Sequence, residues 1–116
     1  MERIWRAFIN SMRAFRHLAG SEKAFQQELI LFLVSIPVAW FLAPTAVAFL
    51  LLTGTLLFLM IVEVLNTGIE AACNALSREF HKDIQIAKDC GSLAVLFSVV
   101  IVAVIWGYFL WLRFAA

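Results

Sequence analysis

Two carboxylates and two amides share one side of an otherwise apolar stretch. In M-I-V-E-V-L-N-T-G-I-E-A-A-C-N, from Met60 to Asn74, these residues are Glu63, Asn66, Glu70 and Asn74. At about 100° per residue on a helix, Asn66 lies roughly 60° from Glu63 and Glu70 roughly 20°. Asn74 lies about 20° away on the other flank. Ile61, Val62, Val64, Leu65 and Ala72 form the opposite face. A carboxylate at hydrocarbon depth costs about 2.5–3.5 kcal/mol on insertion scales. Something has to offset that penalty, and a bound cation, a proton relay and a buried partner are the candidates.

More groups of the same chemistry lie near the same apolar–polar boundary. Glu22, Gln27 and Glu28 precede the first apolar run, Glu79 and His81 follow the second, and Lys88, Asp89 and Ser92 open the third. Lys88 and Ser92 are one helical turn apart and face one way. Acidic oxygens with a lysine suit a hard cation carrying a polyphosphate. Magnesium takes one or two carboxylates plus substrate phosphates and keeps waters, and a lysine neutralises phosphate charge. Neither G-x-x-x-x-G-K-[ST] nor G-x-G-x-x-G occurs, so a nucleotide here is not held in a known soluble-protein cradle. Glu70 is two turns nearer water than Glu63, roughly 10 Å along the axis. Glu63 is thus the deeper of the two stripe carboxylates.

The elements that must position these groups read as four helices. Residues 1–20 form an amphipathic helix: Ile4, Trp5, Phe8, Met12, Phe15 and Ala19 lie on one side, and Arg3, Arg6, Asn10, Arg13 and His17 on the other. Basic residues opposite aromatic ones mark a helix lying in a membrane interface. Gly20-Ser21 breaks the pattern, and Ser21 is expected to cap the next helix. Residues 22–43 begin polar and become wholly apolar from Leu29, with Pro37 as a candidate kink. Pro44-Thr45 makes a turn. Residues 46–76 run apolar to Val62 and then carry the acidic stripe. The charged run S-R-E-F-H-K-D follows, and a third span occupies residues 88–113, with Trp106, Tyr108 and Trp111 expected at an interface belt.

The chain of 116 residues is 64% hydrophobic and 15% charged, with a mean hydropathy of +0.95. Soluble domains run near 45–50% apolar and about 25% charged, so this is an all-α membrane protein in one domain, residues 1–116. A net charge of +1 argues against a general nucleic-acid binder. Cys73 and Cys90 lie beside apolar runs and read as buried free thiols. The start M-E-R-I-W-R-A-F is not a cleavable signal peptide. Five Arg or Lys precede the first span, and Arg78, Lys82 and Lys88 lie between the second and third. Positive-inside counting therefore puts the N-terminus and the acidic stripe in the cytoplasm and the C-terminus outside.

E-V-L-N-T-G-I-E-A-A, followed by E-F-H and I-A-K-D-C-G-S, resembles the signature of the small prokaryotic diacylglycerol kinase family, which also contains undecaprenol kinases. The upstream S-E-K-A-F-Q-Q-E resembles that family's segment before its first span. The resemblance covers nearly the whole chain. It implies a homotrimer in the bacterial inner membrane, with a surface helix and three membrane helices per subunit. It implies transfer of the ATP γ-phosphate to a lipid primary hydroxyl, with Mg2+. By the same resemblance Glu63 matches the general base, and Glu22 and Glu70 match the metal-binding carboxylates. Asn66 matches a polar residue that supports the base on the substrate side. Lys88, Asp89, Glu79 and His81 match nucleotide contacts, and Arg3 a nucleotide and lipid contact. Ser92 and the Ala24–Glu28 region, with Gln27, match lipid contacts. The family's site is composite between subunits. Two departures stand out: Asn74 replaces an aspartate one turn past Glu70, and Asn10 replaces an aromatic residue.

Blander readings exist for several of these groups. Glu63 with Glu70 could be a structural interhelical pair, Glu28 a solvated helix start, and Glu79 part of a wet loop. Three functions are weighed. A lipid kinase acting on diacylglycerol comes first, with undecaprenol as the alternative acceptor. A small proton-coupled multidrug exporter matches the size but needs four spans and an isolated acid. A structural peptide leaves the acidic stripe unexplained.

Overall fold

The structure is a computed structural model that describes residues 1–115. Its elements are four helices: α1 (Glu2–Ser21), α2 (Lys23–Leu42), α3 (Ala46–Leu76) and α4 (Lys82–Phe114). The last three are long and apolar enough to cross a membrane. They run up, down and up, with α3 in the middle, packed against both α2 and α4. The 31 residues of α3 span about 46 Å at 1.5 Å each, against about 30 Å of hydrocarbon. Roughly ten residues therefore extend past the apolar layer. This excess carries Glu70 and Asn74, and Glu63 lies about a turn deeper.

Each connection has a local cause. Thr45 caps α3, its hydroxyl accepting from the Ala48 N–H at 3.1 Å. Pro37 lies inside α2 without ending it. The break between α1 and α2 falls on Glu22, which is extended at φ −100°, ψ 110°. This differs from the expectation for Ser21, whose hydroxyl caps nothing. It donates to the His17 carbonyl at 2.6 Å instead, the back-bonding habit of serine within a helix. α1 therefore runs through Gly20.

The start of α4 also differs. A beginning at residue 88 followed from the charge of the preceding run. The helix begins at Lys82, with Asp83 in its first turn, where a carboxylate complements the positive helix end. The residues from Lys82 to Asp89 are helical, and only Ser77–His81 connects α3 to α4.

Two apolar clusters hold the ends of the bundle. Ala39, Leu42, Ala48, Leu52 and Phe109 pack at the end opposite the stripe. Leu18, Phe25 and Met60 join α1, α2 and α3 at the stripe end, and Phe15 meets Phe25 edge-on at 5.6 Å. Trp106 is not a belt residue. Its Nε1–H donates to the Leu52 carbonyl at 3.0 Å and to the Thr55 hydroxyl at 3.2 Å, so it ties α4 to α3. Tyr108 and Trp111 remain exposed. Buried hydroxyls on Ser35, Thr53, Thr55 and Ser98 are satisfied by carbonyls of their own helices, which lets them sit inside an apolar bundle. Both cysteines are free, but only Cys73 is buried. Cys90 is exposed on the face of α4 that its own chain leaves uncovered, which corrects the expectation of two buried thiols.

Candidate functional site

The end of α3, the start of α4 and the start of α2 come together with α1 at one end of the bundle. There Glu63 is half-buried, and the Thr67 hydroxyl, one turn on, donates to its Oε2 at 3.3 Å. Thr67 had not been singled out as functional. Its signal was present all the same, because a hydroxyl four residues from a carboxylate lies on the same face of a helix.

The Glu28 carboxyl from α2 lies against that of Glu63. Its Oε1 is buried and has no hydrogen-bond partner. A carboxyl oxygen buried in this way needs a donor from another group. Among the described residues that oxygen meets no donor. Glu28 is therefore more than a solvated helix start.

Asn66 is buried, with 8% of its surface exposed. Its Nδ2–H donates to Glu70 Oε1 at 3.3 Å. The amide thus orients Glu70 rather than Glu63, and the hydroxyl of Thr67 serves Glu63 in its place. Asn66 Oδ1 is buried without a partner and lies against Gly91 of α4. Glu70 is otherwise exposed.

One turn beyond Glu70, Asn74 accepts from the Lys88 ammonium at 3.0 Å across the α3–α4 interface. Lys88 also lines a hollow of about 330 Å³ with Asp89, Gln85, Ile84, His81 and Glu79. The first turn of α4 borders this hollow. Unsatisfied N–H groups at such a turn favour phosphate oxygens. A lysine and a helix start at one small hollow make it the candidate triphosphate site. The Ser77 hydroxyl accepts from the Glu79 N–H at 3.1 Å and shapes the connection.

Other candidate residues lie further out. Glu22 is half-buried at the α1–α2 elbow, while Ala24, Gln27 and Ser92 are exposed. Arg3 lines a separate shallow groove on α1 with Glu2, Arg6, Ala7 and Asn10. One chain therefore gathers Glu28, Glu63, Asn66, Thr67 and Glu70, and it gathers Lys88 with His81, Glu79 and Asp89. It does not bring Arg3 to either group. Among the described residues no three His, Cys, Asp or Glu side chains converge as a metal cage. The donors present are oxygens, and an oxygen set of one or two carboxylates completed by phosphates and water fits magnesium. A zinc-like cage is not what these residues offer.

On the lipid side of Glu28, Leu31, Val34, Ser35, Val38, Leu56, Val102 and Trp106 line an apolar groove of about 280 Å³. Leu31 and Ser35 follow Glu28 at the i+3 and i+7 positions, on the same side of α2.

A family model described as prokaryotic diacylglycerol kinase matches residues 9–110. The chain is 35% identical over 112 residues to a diacylglycerol kinase of Escherichia coli K12, covering 97% of this chain and 92% of that protein. It is 35% identical over 106 residues to a diacylglycerol kinase of Pseudomonas aeruginosa, covering 91% and 86%. A diacylglycerol kinase of Haemophilus influenzae is 31% identical over 97 residues, 84% of this chain and 82% of that protein.

Proposed function

From the premise that this chain belongs to the prokaryotic diacylglycerol kinase family, we propose that it transfers the γ-phosphoryl group of ATP to the primary hydroxyl of diacylglycerol, giving phosphatidic acid and ADP. The observation that carries the reading is the Glu28–Glu63 pair. Glu28 lies on the side of α2 that also gives Leu31 and Ser35 to an apolar groove, and the pair sits at the end of the bundle that carries a lysine-lined hollow.

In this reading Glu63 is the general base. The acceptor hydroxyl donates its hydrogen bond to Glu63, held by Thr67, while the acyl chains lie along the apolar groove. The hydroxyl oxygen attacks the γ-phosphorus. A new P–O bond forms, the bond to the β,γ-bridging oxygen breaks, and ADP leaves with that electron pair. The hydroxyl proton passes to Glu63. Phosphoryl transfer needs alignment and charge neutralisation more than covalent chemistry, and an aligned base contributes typically about 10²–10⁴-fold. Lys88 faces the phosphates with a full charge, since its partner Asn74 is neutral. Glu79, His81 and Asp89 border the nucleotide, with Arg3 contributing from α1. Glu22 and Glu70 would hold Mg2+, which supplies charge neutralisation to the β- and γ-phosphates. Ala24, Gln27 and Ser92 border the acceptor headgroup.

The membrane arrangement belongs to the same proposal. α1 lies on the cytoplasmic surface by its Ile4–Trp5–Phe8 side, the site faces the cytoplasm of a bacterial inner membrane, and the C-terminus lies outside. The subunits form a homotrimer whose neighbours complete the metal and nucleotide sites.

The test supplies purified protein in detergent micelles with labelled ATP, magnesium, and diacylglycerol and undecaprenol together. Label in phosphatidic acid is the expected result. Label in undecaprenyl phosphate alone overturns the acceptor assignment, and label in neither lipid overturns the kinase reading.

A further inference from the structure

Gly91 has a role that its place in the motif does not explain. Glycine inside a helix is costlier than alanine, and Gly91 lies well inside α4. Of the five glycines, Gly20, Gly54, Gly68 and Gly107 have open space where a methyl group would go. At Gly91 a Cβ would run into Asn66 Oδ1, with Asn66 Cγ at 3.1 Å. The obstacle is thus one side chain of the candidate site, not the backbone of α3.

We propose that Gly91 is a positioning residue: by leaving room for the buried Asn66 amide, it keeps that amide turned toward Glu70 and so sets the carboxylate that handles the divalent ion. The inference rests on the kinase reading for the ion's identity. Asn66 Oδ1 is buried with no N–H or O–H partner, so hydrogen bonding does not hold that end of the amide. Packing against Gly91 holds it, aided by the weak Cα–H to oxygen contact such closeness allows. The other end, Nδ2–H, is then aimed at Glu70 Oε1. A methyl group at position 91 turns the amide, and Glu70 loses the donor that fixes it. Groups that orient a metal-binding side chain typically change metal affinity by about 10–100-fold when removed.

The test is a double-mutant cycle on the full-length protein in detergent, with Gly91→Ala, Asn66→Ala and the double variant. Manganese, a spectroscopic substitute for magnesium, is titrated by electron paramagnetic resonance with a non-hydrolysable ATP analogue. Thermal unfolding is followed in parallel, and magnesium KM is compared with kcat where activity remains. Each single variant is expected to weaken manganese binding by about tenfold or more. The double variant is expected to match Asn66→Ala alone, because the methyl group then has no amide to displace. Wild-type affinity in Gly91→Ala overturns the proposal, as does an added loss in the double variant.

If Gly91→Ala does not fold, the double variant decides. A folded double variant with the affinity of Asn66→Ala supports action through Asn66. An unfolded one overturns it, since Gly91 then answers to something else. The titration contains no lipid, so a failed kinase assay on wild-type protein sinks the functional reading separately.

Discussion

Thr67 and Glu63 lie one turn apart, and the hydroxyl donates to the carboxylate. If Glu63 is the base, Glu63→Gln lowers turnover by about 10²-fold or more. It leaves the affinity for a non-hydrolysable Mg-ATP analogue nearly intact, measured by titration. Equal loss of both would remove Glu63 from that role. Thr67→Val keeps the shape and removes the donor. A hydrogen bond to a charged group contributes about 1.5 kcal/mol, so turnover falls about tenfold where the carboxylate loses its aim, and the unfolding free energy falls by no more than about that amount. On the α4 side, Asn74 holds Lys88 without cancelling its charge. Lys88→Met therefore raises the ATP KM more than Asn74→Ala does. Asn74→Ala frees the ammonium but leaves its charge beside the phosphates. Steady-state kinetics at saturating acceptor separates the two. These side chains differ in how far the sequence exposed them. The acids announce themselves because charge in an apolar helix is costly. Gly91 and Thr67 do not, since neither is unusual until α4 and Glu63 are seen beside them.

α1 is coupled to the site through an elbow, not through its own length. Glu22 is the hinge residue, and Phe25, Leu18 and Met60 clamp α1 onto α2 and α3. Phe25→Ala removes the ring that Phe15 also rests on, at a cost of about 3 kcal/mol for a buried aromatic residue. Because Glu22 sits at that elbow, activity should fall together with protection of Arg13 and Arg16 from trypsin. Retained activity with α1 released would detach Glu22 from the chemistry. Trp106→Phe makes a control at the far end. It loses two hydrogen bonds and lowers the unfolding temperature without altering the KM for ATP. The helices themselves were legible from hydropathy and period, and the turn at Pro44-Thr45 from its proline, though not the cap that Thr45 makes. Their ends were less legible. Lys82 to Ala87 reads as loop because it follows the charged run, yet a helix that leaves the membrane needs only one dry face. Trp106 looked like a belt residue because tryptophan near a span's end usually is one, and only the fold brings it to Thr55. Cys90 faces away from its own chain, which composition alone does not reveal.

For the whole molecule, the decisive question is whether one chain holds a complete site. Glu28 and Glu63 meet within the chain, as do Asn74 and Lys88, but no three-ligand cage forms among the described residues. Large apolar side chains on α2, α3 and α4 remain uncovered, Leu50, Leu57, Leu65 and Val104 among them. Lipid or neighbouring subunits must cover them, since water would not be tolerated over so continuous a surface. A ring of three identical subunits would cover part of this surface and bring one chain's elbow or α4 start against the next chain's stripe. That arrangement makes a quantitative prediction. Glu63→Gln protein is mixed at equal amounts with Glu22→Gln protein, and separately with Lys88→Met protein, under conditions that exchange subunits. In a site shared by two neighbours, each position is intact with probability one half, so about a quarter of the sites recover in random trimers. Recovery near that level in at least one mixture, with each parent inactive alone, establishes a shared site and identifies which element crosses the interface. If both mixtures stay inactive while a labelled tag demonstrates exchange, each chain must assemble its site alone, and Glu22 and Lys88 must reach Glu63 within a single subunit.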